Sequence, residues 1–318
     1  MRLMQTILYP IRDTSDAYMD DAWTMSDDFA SHLCHLRKFI TVVLDSGLTL
    51  SLAKCKFAQR QVPFVGFIVG DGCFFPDPCK IEAVASMSAP STKAEVKRVL
   101  GMFSFYHAHI RDFARIAKPL SDLTSRKMPA KFQLSNDALK AFEELKERIC
   151  SARILWAPRF GTPFILYTDA SQCAVGCCLA QLHEDDNLEH PVAYGSQKLS
   201  PTQSNWSTIE REAYAVIWAL GKYKTLLYGS PITVVCDHNP LRFLAENSPH
   251  SAKLTRWALA LQDFDVKLKH IKGSQMPWLM ACHASCHMNN RKQVQFTMCT
   301  VCIKVCRCLL LCCVSLEL

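Results

Sequence analysis

What the 318-residue chain lacks narrows its reading first. No stretch approaches the ~20 consecutive apolar residues that span a bilayer, and the longest greasy segment, Leu309 to Val314 with its neighbours, follows Lys304 and Arg307. A membrane partner is therefore not expected. The N-terminus has no basic region leading into an apolar one, so no secretion signal is read and the expected compartment is the cytoplasm or nucleus. No internal repeat is visible, which argues against a repeat architecture. The composition is not that of a disordered chain either: 49% of residues are hydrophobic, 20% are charged and the mean hydropathy is +0.04. At this length the chain has room for two or three domains, each with its own core.

What is present is uneven. Eight of the 17 cysteines lie after Met276. In a small secreted chain such a count would suggest a disulfide scaffold, but here the cluster begins abruptly where a well-patterned region ends, and it points to a tail of different origin. The net charge of +7 is concentrated in residues 91–130, where Lys93, Lys97, Arg98, Arg111, Arg115, Lys118, Arg126 and Lys127 face only Glu95, Asp112 and Asp122. Such a segment can hold phosphates or can be a solvated helix face, and charge alone does not choose between them.

Apolar periodicity supplies the elements. His32, Leu33, Leu36, Phe39, Ile40 and Leu44 suit a helix ended by Gly47. Phe64 to Val69 reads as one strand turning at Gly70-Asp71-Gly72 into a second. Thr92 and Glu95 form a capping-box pattern that starts another helix, and a further helical run covers Ala138 to Cys150. From Phe164 the pattern changes to short strands, Phe164 to Thr168, Ala174 to Gln181 and Pro191 to Tyr194. A helix with Ile209, Ala213, Val216, Ile217 and Leu220 on one face follows, then a strand Ile232 to Cys236, a helix opened by Pro240, a helix Ser251 to Leu261 and a strand Phe264 to His270.

Two sets of carboxylates stand out. Asp20 and Asp21 follow an apolar pair, and adjacent hard oxygen ligands suit Mg2+, although most such pairs are solvated turns. Asp169 and Asp237 each fall at the end of an apolar strand, and Glu212 lies on the intervening helix. If those strands are neighbours and the helix crosses them, three carboxylates converge, a donor set able to hold two Mg2+ ions ~4 Å apart for phosphodiester hydrolysis. Glu210 needs separating from Glu212. Its spacing from Ser207 is that of a capping box, and Glu212 lies about 200° further round the helix at ~100° per residue. Glu210 is expected to be structural and Glu212 to bind metal.

The series Tyr18-Met-Asp-Asp21, Gly47-Leu-Thr-Leu50, Lys54-Cys-Lys-Phe57, Phe64-Val-Gly66, Pro76-Asp-Pro78, Leu100-Gly-Met102, Ala117-Lys-Pro-Leu120, Thr168-Asp-Ala-Ser171, Ile209-Glu-Arg-Glu212 and Asp237-His-Asn-Pro-Leu241 resembles, in order, the Pol polyprotein of Gypsy-class LTR retrotransposons over residues 2–275. The resemblance implies a multidomain α/β and α+β chain: the end of a reverse-transcriptase palm over 1–76, a thumb over 77–130, a connecting segment over 131–158, and an RNase H-like mixed sheet with flanking helices over 159–275. It implies RNA-directed DNA polymerase and ribonuclease H chemistry with Mg2+, on primer-template nucleic acid and RNA–DNA hybrids. Asp20 and Asp21 match polymerase carboxylates. Phe64, Val65 and Gly66 belong to the primer-gripping hairpin, and Lys93, Lys97 and Arg98 lie in the thumb as nucleic-acid contacts. Asp169, Glu212 and Asp237 match RNase H metal ligands.

Two departures qualify that expectation. The family's fingers and its earlier palm strand, which bears a third polymerase aspartate, have no counterpart after Met1, so polymerization by this chain alone is not expected. Where the family continues through Ala-Asp-x-Leu-Ser-Arg, with a fourth RNase H carboxylate, residues 276–285 read Met-Pro-Trp-Leu-Met-Ala-Cys-His-Ala-Ser. Codon degeneracy permits a hidden Ala-Asp-Gly-Leu-Ser-Arg two bases further on, which points to a frameshift near Met276 to Trp278. Weak nuclease activity and a 276–318 tail without ordered elements are the expectations. Two alternatives stand beside them: a catalytically dead nucleic-acid-binding remnant, and a zinc module built from Cys282, His283, Cys286, His287, Cys299, Cys302, Cys306 and Cys308.

Overall fold

The structure is a computed structural model that describes residues 2–19, 21–125, 128–129, 132–152, 154–184, 186–237, 252–271 and 297–304. Contacts divide the chain into two compact units, Met1–Gly72 with Asn289–Leu318, and Cys73–Met288. Among the described residues no helix is long and apolar enough to cross a membrane.

In the first unit, helix α1 (Arg2–Leu8) leads into the antiparallel hairpin of β1 (Ser15–Tyr18) and β2 (Asp21–Ser26). Helix α2 (Phe29–Asp45) begins where the Asp28 carboxylate accepts from Ser31 N, satisfying an amide that has no partner inside the helix. It ends before Gly47, which sits at φ +69°, as the sequence suggested. Met4, Leu8, Ala17, Ala22, Phe39 and Val43 form the core, so α1 and α2 are held to the hairpin by apolar burial.

Two expectations are corrected in this unit. The strand read from Phe64 to Val69 is broken: β5 (Gln61–Phe64) pairs antiparallel with β6 (Phe67–Gly70) across Val65 and Gly66, whose φ values of +45° and +80° match a tight primed hairpin turn. The apolar run hid the turn because valine is an unusual residue at positive φ. The tail is not without order either. Strand β14 (Thr297–Lys304) lies between β2 and β3 (Thr49–Leu50), antiparallel to both, and also pairs with β4 (Lys56–Gln59). Its Thr297-Met-Cys-Thr-Val-Cys-Ile-Lys304 sequence is rich in β-branched residues, and the ladder it completes uses backbone groups that any sequence possesses.

The second unit joins a helical part to a five-stranded sheet. Strand β7 (Cys73–Pro76) pairs with β8 (Leu155–Trp156). Helices α3 (Pro78–Ala85), α4 (Lys93–Phe105), α5 (Phe113–Ile116), α6 (Lys118–Leu123) and α7 (Asn136–Cys150) follow β7. The predicted Thr92/Glu95 capping box opens α4, and Phe103 stacks on Phe142 of α7 at 5.9 Å between centroids. The sheet has the order β11-β10-β9-β12-β13, with β9 (Phe164–Ala170), β10 (Ala174–His183), β11 (Leu188–Lys198), β12 (Ile232–Cys236) and β13 (Val266–His270). The β9-β10-β11 meander is antiparallel, whereas β12 runs parallel to β9 and β13 parallel to β12. Helices α8 (Pro201–Ser204), α9 (Thr208–Lys222) and α10 (Lys224–Leu227) precede β12, and α11 (Ala252–Leu261) precedes β13.

Alternation along the strands buries both faces. Phe164, Leu166, Leu179, Ile232 and Val234 meet Val216 and Leu220 of α9 on one face, while Tyr167, Cys178, Ala180 and Val235 meet Leu155 on the other. The helix expected at Pro240 lies outside the described residues, as do most residues of the proposed zinc set. Among the described residues no group of His, Cys, Asp and Glu is arranged to hold a metal ion.

A proline in the middle of β14 would remove a ladder hydrogen bond and clash with its neighbours. Thr300→Pro is expected to speed amide hydrogen exchange in β2, measured by mass spectrometry, and to leave exchange in β9 and β10 unchanged. Unchanged exchange in β2 would mean that β14 adds nothing to that sheet.

Candidate active site

The sheet register creates the site. Val235 of β12 lies beside Tyr167 of β9, and continuing the parallel register by two residues sets Asp237 alongside Asp169, both at the same end of the sheet. Helix α9 packs across β9, and the Ala170 amide donates to Oε1 of Glu212 at 3.2 Å. Much of the arrangement expected from the sequence is present: the two strands are neighbours, the helix packs across β9, and Asp169 and Asp237 both act on the Glu212 carboxyl.

Their electrostatics are those of a crowded set of like charges. Glu212 is 2% exposed, and its Oε2 has no hydrogen-bond partner. Burial, then the charges of Asp169 and Asp237, push its carboxyl up from 4.5 to about 8. Asp169 is also raised, by burial first, then by Asp112, then by Asp237. Oxygen donors of one sign, with a buried acceptor left unpaired, are the chemistry of a hard divalent cation site. The carboxylates therefore fit Mg2+ in kind. They converge without standing, as a trio, at ligand spacing among the described residues.

Glu210, two residues away, has the opposite environment. It completes the capping box with Ser207, and its Oε1 accepts from Lys253 Nζ at 2.6 Å. The hydrogen bond from Lys253 leads the effects that hold its carboxyl below the usual range. Lys253 also lies 4.1 Å from the Trp206 ring centroid, so this glutamate ties α9 to α11. The geometry agrees with assigning Glu210 to structure.

Sequence reasoning missed the residues that α5 and its approach bring to the mouth of this site. Arg111, Asp112 and Arg115 line a cavity with Asp169, Ser171 and Ser196. The Ala114 amide donates to Ser196 Oγ at 2.8 Å, joining segments 82 residues apart. The only signal in the sequence was the basic count of residues 91–130, which carried no address.

The polymerase motif is seen in part. Asp21 starts β2 and pairs in register with Tyr18, whereas Asp20 lies outside the described residues. The Phe64 ring meets Trp23 edge-on at 4.5 Å and Tyr18 at 6.5 Å, so the Phe64-Val65-Gly66 turn and the Tyr18 hairpin share one aromatic cluster. Lys97 and Arg98 lie on the exposed face of α4, opposite buried Val96 and Val99, and Lys93 donates to the Ser125 carbonyl.

The two glutamates should respond oppositely to neutralisation. Glu210→Gln keeps a capping side chain but loses the ion pair with Lys253, so it is expected to lower stability by up to about 1 kcal/mol. Glu212→Gln removes a buried charge that its neighbours repel and is expected to raise the melting temperature near pH 8 in the presence of chelator. Melting curves of the two variants check this, and a fall for Glu212→Gln with a rise for Glu210→Gln would reverse the assignment.

Comparison with known proteins agrees with these observations. The family described as reverse transcriptase (RNA-dependent DNA polymerase) matches residues 1–69, and the family described as RNase H-like domain found in reverse transcriptase matches residues 159–264. Similar relatives in Drosophila melanogaster are the retrovirus-related Pol polyproteins from transposon opus, 38% identical over 80% of this chain, and from transposon 297, 33% identical over 86%. The corresponding protein from transposon gypsy is 31% identical over 81%. The chain spans about a quarter of the length of these relatives, 26%, 25% and 25%. The fold is similar to that of a foamy viral protease-reverse transcriptase solved with an RNA/DNA hybrid, at TM-score 0.74 and 21% identity, covering 92% of this chain and 40% of that one. The same viral protein with double-stranded DNA gives TM-score 0.73 at 21% identity, over 85% of this chain and 57% of that one. With reverse-transcriptase and RNase H-like regions in family order, the chain belongs to the Gypsy-type retrotransposon Pol family.

Proposed function

We propose that the second unit hydrolyses the RNA strand of RNA–DNA hybrids with Mg2+, and that residues 77–130 act as a thumb that holds the hybrid. The observation that carries this reading is the convergence of Asp169, Glu212 and Asp237 at one end of the sheet, with Oε2 of Glu212 buried and unpaired. Asp169 and Asp237 project from strand ends, a rigid support for positioned charge, and Glu212 closes the set from the helix. When bound, Mg2+ would activate water and stabilise the leaving oxygen. The protein's own part is to hold negative charge in place and to surrender the proton that burial keeps on Glu212. Asp20 and Asp21 are assigned to the polymerase region with the same metal preference, and Phe64, Val65, Gly66, Lys93, Lys97 and Arg98 to primer-template contact.

A second reading, hybrid binding without hydrolysis, is favoured by the lack of any trio at ligand spacing among the described residues and by the expected Asp that the sequence does not supply after Gln275. The two readings separate on one assay. Mg2+-dependent cleavage of the RNA strand that falls at least tenfold in each of Asp169→Asn, Glu212→Gln and Asp237→Asn supports hydrolysis. Binding of the hybrid with no such cleavage in the unaltered chain supports the second reading.

The raised carboxyl of Glu212 sets a pH dependence. Between 4.5 and about 8 the folded chain keeps a proton that the unfolded chain has released, so this group's contribution to stability declines as pH rises through that interval. A cation must displace that proton, so Mg2+ affinity is expected to strengthen with pH up to about 8 and then level off. Calorimetric titration with Mg2+ across this range checks it, with Glu212→Gln expected to flatten the profile. A profile independent of pH would remove Glu212 from the metal set.

A further inference from the structure

Beside the carboxylates lies a feature of the opposite charge. Arg111 and Arg115 flank Asp112, and together they line a cavity of about 210 Å3 whose other wall includes Asp169, Ser171 and Ser196. The Asp112 carboxylate is 3.5 Å from Arg111 Nε and 3.5 Å from Arg115 Nη2, so one acid holds two guanidinium groups at the same mouth. The segment is fixed on three sides. Asp112 takes a left-handed backbone conformation at φ +56°, the Ala114 amide is bonded to Ser196 Oγ, and Asp112 Oδ1 would be only 3.0 Å from a Cβ placed on Gly176. Gly176 is the β10 residue paired with Asp169, and the absence of a side chain there leaves room for the close approach of the Asp112 carboxylate.

The placement of the charges suggests a ligand. Two guanidinium groups and two carboxylates, Asp112 and Asp169, line the cavity, and a cation held at the carboxylate site would offset Asp169 and leave the arginines in excess. A phosphodiester lying between a cation site and a pair of arginines meets favourable charge on both sides, and guanidinium matches two phosphate oxygens at once. Arg115 keeps 53% of its side chain exposed, ready to reach a strand in solvent. A second cavity of about 450 Å3 shares Ser196 with the first and is lined by His107, by Lys222 of α9 and by Lys198, which is paired with Asp122.

We infer that Arg111 and Arg115 form a phosphate-binding subsite for the nucleic-acid strand entering the carboxylate site, with Asp112 as the positioning residue that keeps the two guanidinium groups together. The inference rests on the hydrolase reading for the identity of the strand, and on its own geometry for the phosphate.

The test is binding of a short RNA–DNA hybrid to the full chain in chelator, where no cleavage occurs, followed by fluorescence anisotropy over a range of salt concentrations. Each phosphate contact contributes a slope of about 0.9 in log affinity against log salt. Arg115→Ala is expected to weaken binding roughly tenfold at low salt and to flatten the slope by about 1, Arg115→Lys to keep the slope but not the full affinity, and Lys140→Ala, on the exposed face of α7, to change neither. Arg111→Ala is expected to weaken binding and flatten the slope in the same way, and Arg115→Asp, which inverts the charge at the more exposed position, covers the case in which Arg111→Ala fails to fold. A slope unchanged in both Arg115→Ala and Arg115→Asp would overturn the subsite and leave the arginines as partners of Asp112 alone. Because no metal is present, this outcome is independent of whether the chain cleaves: loss of the slope with a catalytically silent protein would keep the subsite and sink the hydrolase reading.

Discussion

A carboxylate carried into the interior governs the arrangement of this site. Glu212 sits on the face of α9 that also buries Ala213, Val216 and Leu220, so the packing of the helix against β9 takes a charged group with it. The transfer is unfavourable for the ionised form, and the neighbouring Asp169 and Asp237 make it more so, which is why the proton is held to about 8. Nothing in the apolar packing requires a carboxylate at this position. Its burial is explicable as a site that a cation completes, since a cation converts the same repulsion into attraction. The strand register, the helix crossing and the Ala170 amide all serve to keep that group in place.

Two acids on one turn of α9 show how local environment divides roles. Glu210 and Glu212 differ by two residues and about 200° of rotation. One faces the helix entry, where Ser207 and Lys253 donate to it, and its proton is held less tightly than usual. The other faces the strand ends, where only a backbone amide donates and two acids repel, and its proton is held more tightly. The Lys253 ammonium also lies over the Trp206 and Trp257 rings, so the outer acid fastens α11 to α9 while the inner one stays buried with its Oε2 unpaired.

Features set by neighbouring residues were legible in the sequence. The capping boxes at Thr92 and Ser207, the alternation of β9 and the helix face of α9 follow from spacing within one element, and the separation of Glu210 from Glu212 needed only helical geometry. The convergence of Asp169 with Asp237 was legible as a condition, because the pattern gave strand ends but not which strands adjoin. The turn at Val65 and Gly66 was not, since an apolar run continues across it and the positive φ at valine runs against the usual residue choice. The pairing of β14 with β2 was not legible either, because a backbone ladder closes without any side-chain signature and some 270 residues separate the strands.

The arginines at the mouth illustrate the same limit from the functional side. Arg111 and Arg115 were two charges among eight in a basic stretch, and the assignment of that stretch to nucleic acid rested on family resemblance rather than on position. Their relevance arises from one long-range contact, Ala114 to Ser196, and from one missing side chain, Gly176, which together let a preceding segment reach the carboxylates. A substitution that gave residue 176 a Cβ would press on the Asp112 carboxylate, which holds both guanidinium groups. The opposing charges are thus coupled through packing: the sheet that lines up the acids also provides the gap that admits the bases.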